Sequence, residues 1–490
     1  MSRARTTARA GLLTVAALLL TVASPAAAVT PPHISDGGAP SGPVAPTEPT
    51  KQSQQCAQPV LAPGTDMHQV DPTSSVIDYR AAWTYSTGKG QKVAVIDTGV
   101  NPQPRLKRLI AGGDYVSKGD GLTDCDSHGT LVAGLIAAQP STGDSFSGIA
   151  PDATILSIRQ NSDSYSVAGN GQADKSDNVT EGYGNTTTLA YAITRAVDQG
   201  ATVINISAAA CASASSKIDD DAVGRAVRSA YRRNVVVVAA AGNVDKDKCA
   251  QNSGADPNIP RERTWPNLTT YASPAWFSDY VLTVGSLTKD AAAAESSLNG
   301  PWVSVAAPGE NVVSLSSTGA GLVNRQITKD QQSPFNGTSF AAAVVSGVVA
   351  LVRAEFPNLT AGQVMDLIRR TAHTSGRGPD LATGYGLVDP VAALTSNRAA
   401  AATAKDQAQA PAPTVQVAGP VAPDPHASRD RNIALLVAGI AVFLVAAAWA
   451  LFTPRRRVRD AKTAYRDIVE QDADDELAHT SGSRRSRADT

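Results

Sequence analysis

The sequence predicts an α/β fold built on a doubly wound, mostly parallel sheet, with an N-terminal extension before it and one C-terminal transmembrane helix after it. Within residues 75–397, short apolar segments alternate with segments of helical spacing. Apolar runs without polar alternation are typical of strands covered on both faces, and strands that alternate with helices are typical of parallel sheets. The predicted strands are residues 92–96, 153–158, 201–206, 235–240, 281–284 and 303–306, and the predicted helices are residues 128–138, 186–199, 222–232, 339–356 and 361–372.

Length and charge limit the number of domains and the class of partner. The chain has 490 residues, and its composition changes along its length as expected for one large folded unit with flanking segments. With 43 Lys and Arg against 44 Asp and Glu, its formal net charge is −1. A nearly neutral chain has no long-range field to collect polyanions, so we expect no nucleic-acid partner.

The N-terminus has the pattern of a signal peptide. Three arginines precede an apolar run over residues 11–22, and small residues at 26–28 provide a cleavage site. A retained membrane helix is the alternative, but the apolar run is short and is followed by Pro25. We therefore expect residues 1–28 to be removed, so that the mature chain begins near Val29.

A second apolar segment, residues 432–452, is uncharged and long enough to cross a lipid bilayer as a helix. A buried core helix is the alternative, but the Pro/Ala-rich linker at 398–431 and the arginines at 455–459 leave it no core to join. By the positive-inside rule, these arginines hold the tail, residues 453–490, in the cytoplasm. We therefore expect a single-pass protein of the cell membrane whose main domain lies outside the cytoplasm.

Four cysteines in a chain sent out of the cytoplasm predict two disulfides. None has the close spacing of zinc ligands, so we expect no metal site and no cofactor. Three pairings are possible. Cys211 and Cys249 each lie a few residues after a predicted strand and could meet at one edge, which would leave Cys56 with Cys125.

Asp97 directly follows the first predicted strand, in the segment KVAVIDTGV. Functional groups collect beyond the carboxyl ends of parallel strands, so this carboxylate is placed to act in a site. Taken alone, it is better explained as the cap of a turn with Thr98 and Gly99. The other motifs of the chain decide between the two.

His128 lies in DSHGTLVAG, at the predicted start of a helix whose small residues permit close packing. The chain has 6 histidines, but only His128 and His373 fall well inside residues 75–397. His373 follows the end of a predicted helix and is interpreted as structural. His128 is therefore the candidate general base.

Ser339 lies in FNGTSFAAAVVSG, where Gly337 permits a tight turn and small residues form a helix that can enter the core beneath the serine. A serine alone carries little information. Asp97, His128 and Ser339, in that order and in three such segments, predict a catalytic triad.

The segments DTG, HGTLVAG and NGTSFAAAVVSG resemble the signature blocks of the subtilisin-like (S8) serine proteases. The resemblance spans roughly residues 75–397 and implies a serine endopeptidase that cleaves polypeptides by acyl transfer, without a cofactor. In AAAGN it implies that the Asn243 side chain donates to the oxyanion, and INIS resembles the strand that pairs with extended substrate.

The sequence departs from the subtilisin-like pattern at two places. Residues 207–210 are Ser-Ala-Ala-Ala where many subtilisins have Ser-Leu-Gly-Gly, and Ala343 stands where they usually have proline. Neither change removes a catalytic group, but the first leaves the shape of the primary pocket open. The residues implied to bind substrate are Ser207, Ala208 and Ala209.

The whole layout resembles that of the mycosins, the membrane-anchored proteases of actinobacterial type VII secretion systems. This resemblance implies a polypeptide substrate that is secreted and a supporting role in a type VII secretion membrane complex. A general surface subtilisin is one alternative, and a mainly structural component of such a complex is another. The polar loop at 161–185 is expected to border the substrate site.

Residues 29–74 form an extension rich in Pro, Gly, Ser and Thr that has too few large apolar residues for its own core. One interpretation is an inhibitory propeptide that is later cut away, and the other is a permanent extension wrapped on the enzyme. A bond between Cys56 and Cys125 would retain the extension after a single backbone cut, which favours wrapping.

Overall fold

The structure is a computed structural model that describes residues 29–69, 71–169, 182–245, 249–252, 260–328, 331–374 and 378–396. The predicted signal peptide, linker, membrane helix and cytoplasmic tail lie outside the described residues. The strands are β1 (Thr50–Gln52), β2 (Pro59–Val60), β3 (Lys92–Asp97), β4 (Leu109–Asp114), β5 (Thr154–Arg159), β6 (Tyr165–Val167), β7 (Val203–Ile206), β8 (Ala210–Ser213), β9 (Val236–Ala240), β10 (Thr270–Ser273), β11 (Val281–Leu287), β12 (Val303–Pro308), β13 (Ser314–Leu315), β14 (Leu322–Val323), β15 (Arg325–Thr328) and β16 (Gln331–Pro334). The α-helices are α1 (Tyr79–Ala82), α2 (His128–Ala137), α3 (Thr186–Asp198), α4 (Asp221–Arg232), α5 (Thr338–Glu355) and α6 (Ala361–Thr371).

Seven parallel strands form the central sheet, in the order β12-β11-β9-β7-β3-β5-β4. The chain enters the sheet at β3, builds one side with β4 and β5, and then builds the other side from β7 onward. The carboxyl ends of β3 and β7 therefore flank the point where the strand order reverses, which is where open α/β sheets bind ligands. The predicted doubly wound α/β fold is confirmed.

Helices cover both faces of the sheet because successive strand residues point to opposite sides. In β3, Val93 and Val95 face the cluster that contains α2, α5 and α6, while Ala94 and Ile96 face the cluster that contains α3 and α4. All four side chains are fully buried. Burial on two sides thus explains why the strands lack the regular polar alternation of a half-exposed sheet.

Helix α5 forms the centre of one face. Among the described helices, α5 alone has the length and apolar composition to cross a membrane, yet 89% of its apolar window is buried inside the protein. Every residue from Thr338 to Arg353 is buried, and small side chains allow contact with α2 and with the strands beneath. It is a core helix that carries Ser339 at its start.

The described part of the extension lies along the protease domain at several separate points. Strand β1 pairs with β6, and β2 pairs with β15, both antiparallel. Closer to the N-terminus, the backbone N–H and the hydroxyl of Ser35 donate to the Asp221 carboxylate at 2.8 and 2.6 Å. These contacts support the wrapped arrangement.

The four cysteines form two disulfides. Cys56 pairs with Cys125 across a Cα–Cα distance of 4.5 Å, and Cys211 pairs with Cys249 across 5.5 Å. The first joins the extension to the loop before α2, and the second joins β8 to the segment after β9. Of the three pairings that the sequence left open, the structure contains the one suggested by the positions of Cys211 and Cys249.

The sequence-based prediction missed the short strands outside the central sheet, helix α1, and one strand of the central sheet. Strand β4 was not predicted, because Gly112 and Gly113 interrupt its apolar run and, at this edge of the sheet, Ile110 is 43% exposed. The segment 161–185, expected to be a surface loop, contains β6, while its residues 170–181 lie outside the described part of the chain. Strand β6 exists because the extension supplies its hydrogen-bonding partner, β1.

Candidate active site

Asp97 ends β3 at the reversal point of the sheet and is 1% exposed. Its Oδ1 lies 2.7 Å from Nδ1 of His128. The backbone N–H of Thr98 donates to the same oxygen at 2.7 Å. The carboxylate is thus fixed by its own strand and turn, and it holds one nitrogen of the imidazole.

His128 is the first residue of α2, so its side chain leaves the helix at the end that faces the site. Its side chain is 33% exposed, whereas that of Asp97 is 2% exposed. The imidazole centroid lies 5.2 Å from the ring of Phe340, the residue after Ser339. With Nδ1 bound to a carboxylate, the tautomer that leaves Nε2 as a proton acceptor is favoured.

Ser339 is the second residue of α5 and is 6% exposed. Its hydroxyl donates to the backbone carbonyl of Ser207 at 3.1 Å. Ser207 follows β7, so the serine lies on the same reversal point as Asp97. In substrate-free hydrolases a serine–imidazole hydrogen bond often forms only when substrate binds, so the hydrogen bond to Ser207 does not exclude Ser339 as a candidate nucleophile.

Asn243 lies in the turn after β9, where Gly242 adopts a φ of 107°. Its side-chain oxygen accepts bonds from the backbone N–H and the hydroxyl of Thr338, both at 3.0 Å. Because the oxygen accepts from Thr338, the residue before Ser339, the amide nitrogen is the atom of this side chain that can donate to a bound group. The structure thus brings Asp97, His128, Ser339 and Asn243, all predicted from the sequence, to one edge of the sheet.

Residues 88–386 match the model of the subtilase family, Peptidase_S8. The chain is 43% identical to Mycosin-4 of Mycobacterium tuberculosis over 467 residues, which cover 93% of this chain and 98% of that protein. It is 45% identical to Mycosin-1 of the same organism over 388 residues, or 78% of this chain and 86% of that protein. The chain belongs to the mycosins, within the subtilase family.

Solved structures agree with this assignment. The MycP3 protease from the type VII (ESX-3) secretion system shares 44% identity with this mycosin at a TM-score of 0.71, and the match covers 75% of this chain and 100% of that one. A chain of an intact ESX-5 inner membrane complex shares 42% identity at a TM-score of 0.70, over 86% of this chain and 99% of that one. The predicted subtilisin-like fold and the enzyme class, a serine peptidase, are confirmed.

In this mycosin, the contact between Asp97 and His128 shifts the pKa of both side chains. Burial alone would raise the pKa of Asp97, but the charge and hydrogen bond of His128 and the N–H of Thr98 outweigh it and lower that pKa below its ordinary value. Burial alone would lower the pKa of His128, but the charge and hydrogen bond of Asp97 outweigh it and raise that pKa above 6.5. Asp97 is therefore ionised wherever the enzyme is folded near neutral pH.

The residues expected to bind substrate in this mycosin follow β7 directly. Ser207 is buried next to Ser339, and Ala208 and Ala209 are half-buried. Ala210 then begins β8, which pairs antiparallel with β10. The structure therefore places the predicted substrate segment beside the serine.

Other parts of the site were not predicted or lie elsewhere. Thr338, which orients Asn243, was missed, and the signal for it was a hydroxyl residue directly before Ser339 in NGTS. His373 contacts Asp389 at 2.6 Å in a separate pair whose histidine side chain is 67% exposed. In the described ranges, no group of three or more His, Cys, Asp or Glu residues could hold a metal ion.

Proposed function

We propose that this mycosin hydrolyses peptide bonds with Ser339 as nucleophile, His128 as general base and Asp97 as the residue that orients His128. The 2.7 Å bond between Asp97 and His128, beside the serine at the start of α5, is the observation that supports this assignment. These roles go beyond family membership, because they assign each step of the chemistry to a particular residue of this chain.

The first step requires the Ser339 hydroxyl to leave the carbonyl of Ser207 and turn to Nε2 of His128. A main-chain N–H of an extended substrate that binds the Ser207 carbonyl would release the hydroxyl. Oγ then bonds to the scissile carbonyl carbon while its proton passes to Nε2. The C–N bond breaks as His128 returns that proton to the leaving amine, and water hydrolyses the acyl-enzyme by the same route.

The oxyanion of the tetrahedral intermediate is bound by the Asn243 amide and by the backbone N–H of Ser339 in this mechanism.

Replacing Asn243 with alanine is expected to lower kcat by about 100- to 1,000-fold, because that donor acts mainly in the transition state. Turnover of a fluorogenic peptide and the melting temperature are measured together. Asn267→Ala, which changes an exposed asparagine in a short 3-10 turn, is the control and should retain wild-type kcat. Undiminished turnover in Asn243→Ala would remove Asn243 from this role.

We further propose that the enzyme works in a type VII secretion membrane complex. The supporting observation is that a chain of an ESX-5 inner membrane complex matches 86% of this chain along 99% of its own length. In this proposal residues 1–28 direct export, residues 432–452 anchor the enzyme, and the protease domain acts outside the cytoplasm on a secreted polypeptide.

Deletion and complementation test the secretion role in the organism that carries this chain. Deletion of the gene is expected to stop secretion of type VII substrates, and the wild-type chain is expected to restore both secretion and substrate processing. If the chain also supports the complex, Ser339→Ala should restore secretion without processing. Full secretion after deletion would favour a general surface subtilisin. Processing that persists with Ser339→Ala would contradict the proposed nucleophile.

A further inference from the structure

Asp124 is a buried carboxylate four residues before His128, and it is 4% exposed. Its Oδ1 accepts bonds from the Thr98 hydroxyl at 2.8 Å and from the Asp126 N–H at 3.2 Å. Its Oδ2 accepts bonds from the N–H and the hydroxyl of Thr130 at 2.8 and 2.6 Å. All four bonds are donated to the carboxylate, which is the arrangement that favours its ionised form.

The partners of Asp124 are the chain neighbours of the catalytic pair. Thr98 follows Asp97 at the end of β3, and its hydroxyl also accepts the N–H of Gly129, the residue after His128, at 2.9 Å. Thr130 lies in the first turn of α2. Asp124 therefore joins the strand that carries the carboxylate to the helix that carries the imidazole.

The loop between Asp124 and His128 requires such support. Ser127, a non-glycine residue, adopts a left-handed φ of 68° immediately before the histidine. Cys125 is fixed by its disulfide to the extension, and the Asp126 carboxylate accepts the N–H of Ser164 at 2.8 Å. His128 thus begins α2 directly after a strained residue. The two residues before that one, Cys125 and Asp126, are each held by a contact with another part of the chain.

We propose that Asp124 is a positioning residue that holds the imidazole of His128 against Asp97 and, through its negative charge, supports the imidazolium that forms during catalysis. The proposal rests on the catalytic roles proposed above for His128 and Ser339. It adds a second carboxylate that acts through Thr98, Thr130 and the helix start rather than by touching the substrate.

The negative charge of Asp124 gives the proposed role a measurable effect on the pH–rate profile, which a purely structural residue would not produce. Within the described ranges, the negative charges of Asp97 from β3, Asp124 from its own loop and Asp163 from the loop after β5 each raise the pKa of His128. Burial raises the pKa of Asp124 to about 7, and the negative charge of Asp97 adds to this rise. The hydroxyl and N–H groups that donate to Asp124 oppose it. Removing the charge of Asp124 lowers the pKa of His128, so the acid limb of the pH–rate profile moves to lower pH.

The test compares the full-length wild type with Asp124→Asn and with a matched control, Asp71→Asn. Asp71 is 5% exposed and also accepts bonds from two N–H and two hydroxyl groups, contributed by Thr73, Ser74 and Tyr79. The measured quantity is the rate of covalent reaction with a fluorophosphonate, which reports the essential base of the free enzyme. The scan runs from about pH 5 to about pH 11, because the pKa of His128 is raised to about 9 and the plateau lies above it.

For Asp124→Asn we expect a plateau rate about tenfold or more below wild type and an acid limb about half a pH unit lower. Asp71→Asn should retain the plateau rate and the pH profile, whatever it does to the melting temperature. The proposal is overturned if Asp124→Asn keeps the wild-type profile, or if both variants change in the same way. A wild type that does not react refutes the catalytic roles themselves, and the proposal falls with them.

A second pair of variants covers the case in which Asp124→Asn does not fold. Thr98→Val removes the hydroxyl that links Asp124 to Gly129 at nearly constant volume, whereas Thr98→Ser retains it. We expect Thr98→Val to lower the plateau rate about tenfold and Thr98→Ser to restore it. Equal rates in the two variants would contradict a positioning role for this link.

Discussion

Replacing Ser339 with alanine is expected to lower kcat by about 10⁴- to 10⁶-fold, because no other group of the site can form the acyl-enzyme. The fold should be retained. In the part of the chain that the structure describes, the Ser339 hydroxyl makes one hydrogen bond, to the Ser207 carbonyl, and alanine is a better helix residue than serine. The measurement is steady-state hydrolysis of a fluorogenic peptide, with circular dichroism to compare the folded state.

Ser346 supplies the matched control for this variant. It lies on the same helix, is fully buried, and donates its hydroxyl to the Asn205 side chain at 2.9 Å. Ser346→Ala should cost about 1 kcal/mol of stability and leave kcat within a few-fold of wild type. Equal loss of turnover in Ser339→Ala and Ser346→Ala would mean that the effect arises from damage to α5 and not from loss of a nucleophile.

Replacing Asp97 with asparagine is expected to lower kcat by about 10⁴-fold at neutral pH, because an amide supports neither the required tautomer nor the imidazolium of His128. The Asp97 carboxylate lies 2.7 Å from Nδ1 in wild type, and asparagine has nearly the same size and shape, so the variant removes the charge and the preferred tautomer without removing the side chain. The pKa of His128 is raised chiefly by Asp97 against the effect of burial, and the variant should lower it.

The pH dependence follows from the sign of this shift. The general base must be neutral, so wild-type activity is lost as the pH falls through the raised pKa of His128, and in Asp97→Asn that limb moves to lower pH. The control is Asp389→Asn, which removes the negative charge paired with the exposed His373 and should leave kcat and its pH profile unchanged. A wild-type pH profile in Asp97→Asn would contradict the proposed role of Asp97.

The central sheet could be predicted because its strands carry a strong local signal. Burial on both faces makes β3, β5, β7, β9, β11 and β12 predominantly apolar, and each was located from the sequence to within a few residues. Strand β4 lacks that signal because it lies at the edge and contains two glycines. Strands β1 and β6 depend on a partner more than a hundred residues away in sequence (Thr50 pairs with Val167), which no local pattern reveals.

The site shows the same division between local and long-range information. Asp97, His128 and Ser339 lie in segments whose glycines and small residues are required by their turns and helices, so the sequence indicated them directly. The resting bond from Ser339 to Ser207 and the four bonds to Asp124 depend on side-chain directions set by packing between elements. Such contacts have no sequence signature of their own.

The most direct test of the proposed triad is mass spectrometry of the protein after treatment with a serine-directed fluorophosphonate, with wild type and His128→Ala in parallel. The probe reports the activated serine without knowledge of the substrate, because Oγ must displace fluoride from phosphorus. We expect a single adduct on Ser339 in wild type and its loss in His128→Ala. A wild type without an adduct, or an adduct on Ser339 that survives in His128→Ala, would contradict a working triad.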